Sequence, residues 1–249
     1  MRLCRFYADG RVHPGTAHDG FVRSAYGPEY PVDAIGWLPP HDPPKLVGLA
    51  LNYADHADEL GLERPADPVL FFKPRTSLIG HLAPIVYPAG AEYLHYEAEL
   101  GVVIGAHARK VKAAQAMRVV SGYTICNDVT VRDFVANLYR PPVKAKGFDS
   151  FGPIGPWIAT GEIDDPTSLA VRTRVNGELR QDGNTKDLLF TIPEIIEYVS
   201  FFMTLEPGDV LLTGTPRGIS HVYPGDRIEI EIEGIGALEN PVVAEEVGR

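Results

Sequence analysis

Tyr93-Leu-His-Tyr-Glu-Ala-Glu-Leu-Gly-Val-Val-Ile-Gly105 sets two acids, Glu97 and Glu99, one residue apart at the head of a short apolar run. Residues 100–104 form an apolar run rich in β-branched side chains and too short for a helix, so they read as a buried strand. Side chains at i and i+2 of a strand share a face, which puts both carboxylates on one side. Two like charges beside apolar residues are unfavourable unless a proton is shared or a positive charge lies between them. A hard divalent cation meets that need. The exposed edge of an amphipathic strand would accommodate the same pair, and the two acids alone do not choose.

A third acid bears on the choice. Asp128 closes another apolar stretch, Val119-Val-Ser-Gly-Tyr-Thr-Ile-Cys-Asn-Asp128, and sits at the end of a strand that can neighbour the first. Three carboxylates that leave positions open for water and substrate oxygens suit Mg²⁺ or Mn²⁺, whereas zinc prefers His or Cys ligands.

Moving outward, Lys45-Leu-Val-Gly-Leu-Ala-Leu51 reads as a buried strand running into a short helix over 52–60 that stops near Gly61. Helices are also expected over 111–119, 130–138 and 193–203, with Pro193 in the first turn. Further strands are expected at 69–72, 169–175, 210–213, 227–232 and 236–243, and Asn176-Gly177 is a strong hairpin signal. Strands and helices mix without regular alternation, so the fold class is α+β and β-rich. The Pro-rich Leu38-Pro-Pro-His-Asp-Pro-Pro44 marks a junction between a small N-terminal portion, residues 1–44, and the main domain over 45–249.

Composition limits the partners. The chain has 249 residues, 45% of them hydrophobic, which is ample for a large core. A formal charge of −10 argues against nucleic acid or an anionic membrane as partner and leaves a small molecule as the expected one. Cys4 and Cys126 are too few for a disulfide framework, so a reducing, cytoplasmic setting is expected. Neither a signal peptide nor a membrane-spanning run is expected.

Other residues could carry chemistry. His56 and Glu59 are three apart on the expected helix and share a face, so the carboxylate can orient the imidazole as a general base requires. Lys73 follows an apolar run, and Lys146 lies in a Gly- and Phe-rich loop. Either ammonium could neutralise a substrate carboxylate or enolate. Gly214-Thr-Pro-Arg-Gly218 has the composition of an anion-binding turn, and equally that of a plain one. No Walker, nucleophile-elbow, H-E-x-x-H or C-x-x-C pattern is present, which weakens nucleotide, serine-hydrolase and zinc-protease readings.

Taken together, Leu51-Asn-Tyr-Ala-Asp-His56, Phe72-Lys-Pro74, His95-Tyr-Glu-Ala-Glu99, Gly122-Tyr-Thr-Ile-Cys-Asn-Asp128, Lys146-Gly-Phe-Asp-Ser-Phe-Gly-Pro153, Val175-Asn-Gly-Glu-Leu-Arg-Gln181 and Thr213-Gly-Thr-Pro-Arg-Gly218 resemble the fumarylacetoacetate hydrolase family over roughly residues 45–245. That resemblance implies a mixed β-roll, a homodimer, and Mg²⁺ or Mn²⁺ held by Glu97, Glu99 and Asp128. It also implies His56 and Glu59 as a catalytic dyad on a closing segment, Lys146 as the charge-stabilising lysine, and Lys73, Gly214 and Thr215 as substrate contacts.

Within the family, His95-Tyr-Glu-Ala-Glu99 and Tyr139-Arg-Pro141 resemble the isomerases/decarboxylases of homoprotocatechuate (4-hydroxyphenylacetate) catabolism. The resemblance implies 2-oxo or 2-hydroxy-enoic di- or tricarboxylate substrates, a metal-stabilised enolate, and Arg140 pairing with a distal carboxylate. Acylpyruvate hydrolysis and oxaloacetate decarboxylation share that enolate and stay open, as does a noncatalytic metabolite-binding module.

Overall fold

In the structure, a computed structural model that describes residues 1–135 and 141–246, the opening stretch forms a central strand, Ala98–Ile104, buried along its whole length. A continuous apolar run is what a strand covered on both faces needs. It pairs antiparallel with Val120–Asn127, matching Ala98 with Asn127 and Glu99 with Cys126. That register sets Asp128 beside Glu97, whose carbonyl accepts from the Asp128 N–H at 2.9 Å. Gly101 lets the two strands close, since a Cβ there would stand 2.8 Å from Cys126 Sγ.

On its other side the central strand meets Val210–Leu212, then Leu46–Ala50 in parallel and Val69–Lys73 antiparallel. Beyond Val120–Asn127 the sheet continues through Gly152–Ala159 to Arg2–Ala8, which carries the other short N-terminal strands. Among the described residues a second, five-stranded sheet runs from Glu178–Asn184 through Ala170–Val175, Arg227–Ile232 and Gly236–Ala244 to Ile85–Tyr87. The result is the β-rich α+β architecture expected, with open sheets and short helices. The core between the sheets takes Leu100, Val102, Ile104 and Ile125 with Ile195, Ile196 and Val199 of the helix Ile192–Phe202.

The Asn176-Gly177 signal is met by a two-residue turn between Ala170–Val175 and Glu178–Asn184, with φ of 51° and 84° as a type I′ turn needs. One expected helix is shorter, and another does not begin where the sequence suggests. Residues 111–119 give Ala113–Ala116 and a 3₁₀ turn, Met117–Val119. In place of the start of a helix at 130, Thr130–Val131 pairs with Leu94–His95, followed by a 3₁₀ turn, Arg132–Phe134. The β-branched pair is recruited into that bridge, and Asp133 accepts from the N–H groups of Glu92 and Tyr93 at 2.7 and 3.1 Å. Tertiary pairing thus overrides a weak helical period. Residues 136–140, including Arg140, lie outside the described residues.

Candidate metal and proton-transfer site

Glu97, Glu99 and Asp128 converge where the paired strands end, with ligand oxygens within 4.8 Å of one another and all three side chains buried. Two lysines face them. Lys73, the last residue of Val69–Lys73, donates to Asp128 Oδ1 at 2.5 Å and to the carbonyls of Lys146 and Val129 at 2.8 and 3.3 Å. All three of its protons therefore have partners inside the protein. Lys146, at the end of the short helix Val143–Lys146, donates to Glu97 Oε2 at 3.0 Å, to Thr130 Oγ1 at 2.8 Å and to Asp128 Oδ2. Its ammonium also lies 4.7 Å from the centroid of Phe71. Gly48 makes room for that ring, because a Cβ on it would stand 2.2 Å from Phe71 Cζ.

The charges do not balance. Three carboxylates meet two ammonium groups, which leaves one negative charge without a partner. Burial works against the ionised form of Glu97, but Lys146, with His95 and His56, outweighs it and holds the carboxyl below its usual range. Glu99 has no such cation: burial, then the charges of Asp128 and Glu97, push its carboxyl well up, against Lys146 and one hydrogen bond from the Gly214 N–H at 2.7 Å. An all-oxygen donor set with one excess negative charge in a buried place fits a hard divalent ion. Such an ion would favour the ionised form of Glu99 and, with all three acids ionised, leave the site at +1, the sign that draws in an anionic substrate.

The dyad residues also meet. His56 and Glu59 sit on the helix Ala54–Glu59, with His56 Nδ1 3.0 Å from Glu59 Oε2. The other oxygen, Oε1, accepts from the Gly218 N–H at 3.0 Å. The turn Gly214-Thr-Pro-Arg-Gly218 thus reaches Glu99 at one end and Glu59 at the other. Gly214 needs to be glycine: its φ is +90° and a Cβ would stand 2.9 Å from Asn52 Cβ. Thr215 is buried beside it.

Two residues of the site were not singled out for a role in the sequence. Asn52 donates to the carbonyls of Phe190 and Thr213 at 3.1 and 2.8 Å and accepts from the Phe190 N–H, which fixes the strand end before the dyad helix. His95 is fully buried with Nδ1 3.5 Å from Glu97 Oε1, and burial lowers its pKa to about 4. Both stand in the quoted motifs, which was the available signal. A cavity of about 360 Å³ lined by Arg2, Phe21, Trp37, His81 and Trp157 lies apart, and none of the acids, His56 or Lys146 lines it.

Fold and site together define a β-rich scaffold that presents an acid cluster for a hard divalent ion beside a histidine–glutamate pair. The chain belongs to the fumarylacetoacetate hydrolase family: the family model described as fumarylacetoacetate (FAA) hydrolase C-terminal matches residues 45–243. It is 49% identical over 94% of its length to the 4-hydroxyphenylacetate degradation bifunctional isomerase/decarboxylase of Salmonella dublin, of which the match covers 53%. The chain spans about half the length of the leading curated relatives it matches. Among solved structures, 5-carboxymethyl-2-hydroxymuconate delta-isomerase from Mycobacterium smegmatis superposes with a TM-score of 0.89, at 41% identity and full coverage of both chains. Maleylpyruvate hydrolase from Sphingobium sp. SYK-6, solved with manganese(II) and pyruvate, superposes at 0.84 with 30% identity over 99% of this chain and 100% of that one.

Metal removal has a direct readout. With Mn²⁺ at about 100 times its Kd, linkage gives about 2.7 kcal/mol of stabilisation. For a chain of this length that raises Tm by roughly 5–10 °C, to be reversed by a chelator in thermal melts. A Tm indifferent to Mn²⁺ and chelator alike would remove the acid cluster from consideration as a metal site.

Proposed function

We propose that this chain is a divalent-metal-dependent isomerase/decarboxylase of 2-oxo or 2-hydroxy-enoic di- and tricarboxylates, of the kind used in homoprotocatechuate catabolism. The observation that carries the reading is the joint arrangement of the acids and the dyad, tied together by the turn 214–218. Glu97, Glu99 and Asp128 would hold Mg²⁺ or Mn²⁺, which when bound supplies Lewis acidity toward substrate oxygens. Lys146 places a positive charge where an enolate oxygen gains negative charge. Lys73 supports Asp128 and the Lys146 backbone and adds positive potential for the substrate. Gly214 and Thr215 form the wall against which a carboxylate rests.

His56 moves the proton. Its Nδ1–H donates to Glu59, which leaves Nε2 as the free base, and the carboxylate stabilises the imidazolium formed when Nε2 takes a proton from carbon or water. Decarboxylation and isomerisation both leave electrons on C3, so one site serves both. In this reading Arg140 pairs with the distal carboxylate and the active species is a homodimer.

Steady-state assays on 5-oxopent-3-ene-1,2,5-tricarboxylate, 2-hydroxyhepta-2,4-diene-1,7-dioate, an acylpyruvate and oxaloacetate test the reading. The first two are expected to give the higher kcat/KM. Arg140→Ala is expected to raise KM for the tricarboxylate by about tenfold and to leave oxaloacetate unchanged, the scale of one charge-assisted hydrogen bond. Faster turnover of the acylpyruvate would hand the assignment to hydrolysis.

A further inference from the structure

The motif Val175-Asn-Gly-Glu-Leu-Arg-Gln181 ends in a residue the function above does not use. Gln181 is completely buried, and its amide makes four contacts. Oε1 accepts from the Ala98 N–H at 3.3 Å and from Thr173 Oγ1 at 2.7 Å. Nε2 donates to the Pro216 carbonyl at 2.7 Å and to Thr215 Oγ1 at 2.8 Å.

The orientation of this amide is fixed by partners that cannot change roles. Ala98 N–H can only donate, so the atom facing it is the oxygen. The Pro216 carbonyl can only accept, so the atom facing that is the nitrogen. Since Nε2 has no lone pair to offer, Thr215 Oγ1 is the acceptor in their contact, and the hydroxyl proton of Thr215 must point elsewhere. Thr215 follows Gly214, whose own N–H is taken by Glu99.

We infer that Gln181 is a positioning residue that commits the Thr215 hydroxyl to donate toward the substrate, so that this wall of the site selects an anionic carboxylate oxygen. The inference rests on the reading of the acid cluster and Thr215 as one site. It adds what that reading lacks, a reason why the hydroxyl proton is turned away from the Gln181 amide and is free to donate. Ala98 stands between Glu97 and Glu99, so the same amide also holds the backbone of the metal strand against the turn. A carboxylate meeting a hydroxyl that must donate gains a charge-assisted hydrogen bond. A neutral acceptor in that place would gain only an ordinary hydrogen bond.

The test is calorimetric titration of oxalate into the Mn²⁺-loaded protein, with Mn²⁺ affinity measured separately for each variant. Thr215→Val and Gln181→Leu are each expected to weaken oxalate by about tenfold, the scale of one hydrogen bond to a charged group. The double variant should be no weaker than either single one, and Thr215→Ser should retain wild-type affinity. Mn²⁺ affinity should be unchanged in Thr215→Val and should fall by less than oxalate affinity in Gln181→Leu, whereas a general loosening of the fold would weaken both alike. Oxalate affinity unaffected by Gln181→Leu, or a double variant whose losses add, would overturn the inference while leaving the site reading intact. Failure of the loaded wild-type protein to bind oxalate would instead overturn the site reading and this inference with it. Should Gln181→Leu not fold, Gln181→Glu carries the test: its carboxylate draws the Thr215 proton inward, so oxalate should weaken and Thr215→Val in that background should add nothing.

Discussion

Replacing His56 by alanine is expected to lower turnover of the preferred 2-oxo acid by about 10²–10⁴, the contribution of a positioned general base, and to leave Mn²⁺ binding unchanged. The side chain is buried and its Nδ1 is held by Glu59, so an imidazole with one fixed and one free nitrogen is what the site would lose. The measurement is a pair: kcat on saturating substrate, and Mn²⁺ titration of the same preparation. Glu59→Gln should cost less, because an amide can still orient the ring through its oxygen but cannot stabilise the imidazolium by charge. A binding module has no use for a proton-transfer pair. Turnover that survives His56→Ala would move the base to another residue, whereas no turnover of any 2-oxo acid by the metal-loaded wild-type protein would favour the noncatalytic reading.

Lys146→Met is expected to have the second large effect, and its two parts depend differently on metal. Loss of the ammonium leaves Glu97 and Asp128 without one of their buried partners. Removing one member of a buried ionic group costs about 3–5 kcal/mol. In metal-free protein that loss should appear in full as a lower midpoint in urea. With Mn²⁺ present the ion supplies positive charge to the same oxygens, so the deficit should shrink. Turnover should fall by about 10²–10³ whether or not stability is restored, since stabilisation of the developing charge is gone. Were Mn²⁺ to rescue turnover as well as stability, Lys146 would be an ion-pair partner alone.

Much of this arrangement was legible in the sequence, for identifiable reasons. The apolar run after Glu99 gave a buried strand, and strand periodicity gave the common face of the two acids. Asp128 could be placed at a strand end, but its approach to Glu97 needed the register, which is set by pairing of Ala98 with Asn127 across the sheet. His56 and Glu59 were readable because their relation is local, three residues on one short helix. What local pattern could not show was convergence. Lys73 and Lys146 are 73 residues apart, and only the fold brings one ammonium onto the carbonyl of the other residue. Gln181 was quoted as part of a motif, yet its work lies in contacts with Ala98, Thr173, Thr215 and Pro216 from three other segments. The same limit explains the helix expected from 130. Its sequence carries a tolerable helical period, and the competing bridge to Leu94–His95 is invisible until both segments are in place.

The turn 214–218 has a consequence for how the family's loops could vary. Its first N–H is fastened to Glu99 and its last to Glu59, so the spacing between acid cluster and proton-transfer pair is set by a fixed number of peptide units. The turn acts as a ruler. The sequence before and after the dyad helix can lengthen or change without moving His56 relative to the acids, as long as Glu59 keeps its grip on Gly218. One residue inserted between 214 and 218 would shift His56 and Glu59 relative to the acids and Lys146 while leaving each group in place on its own element.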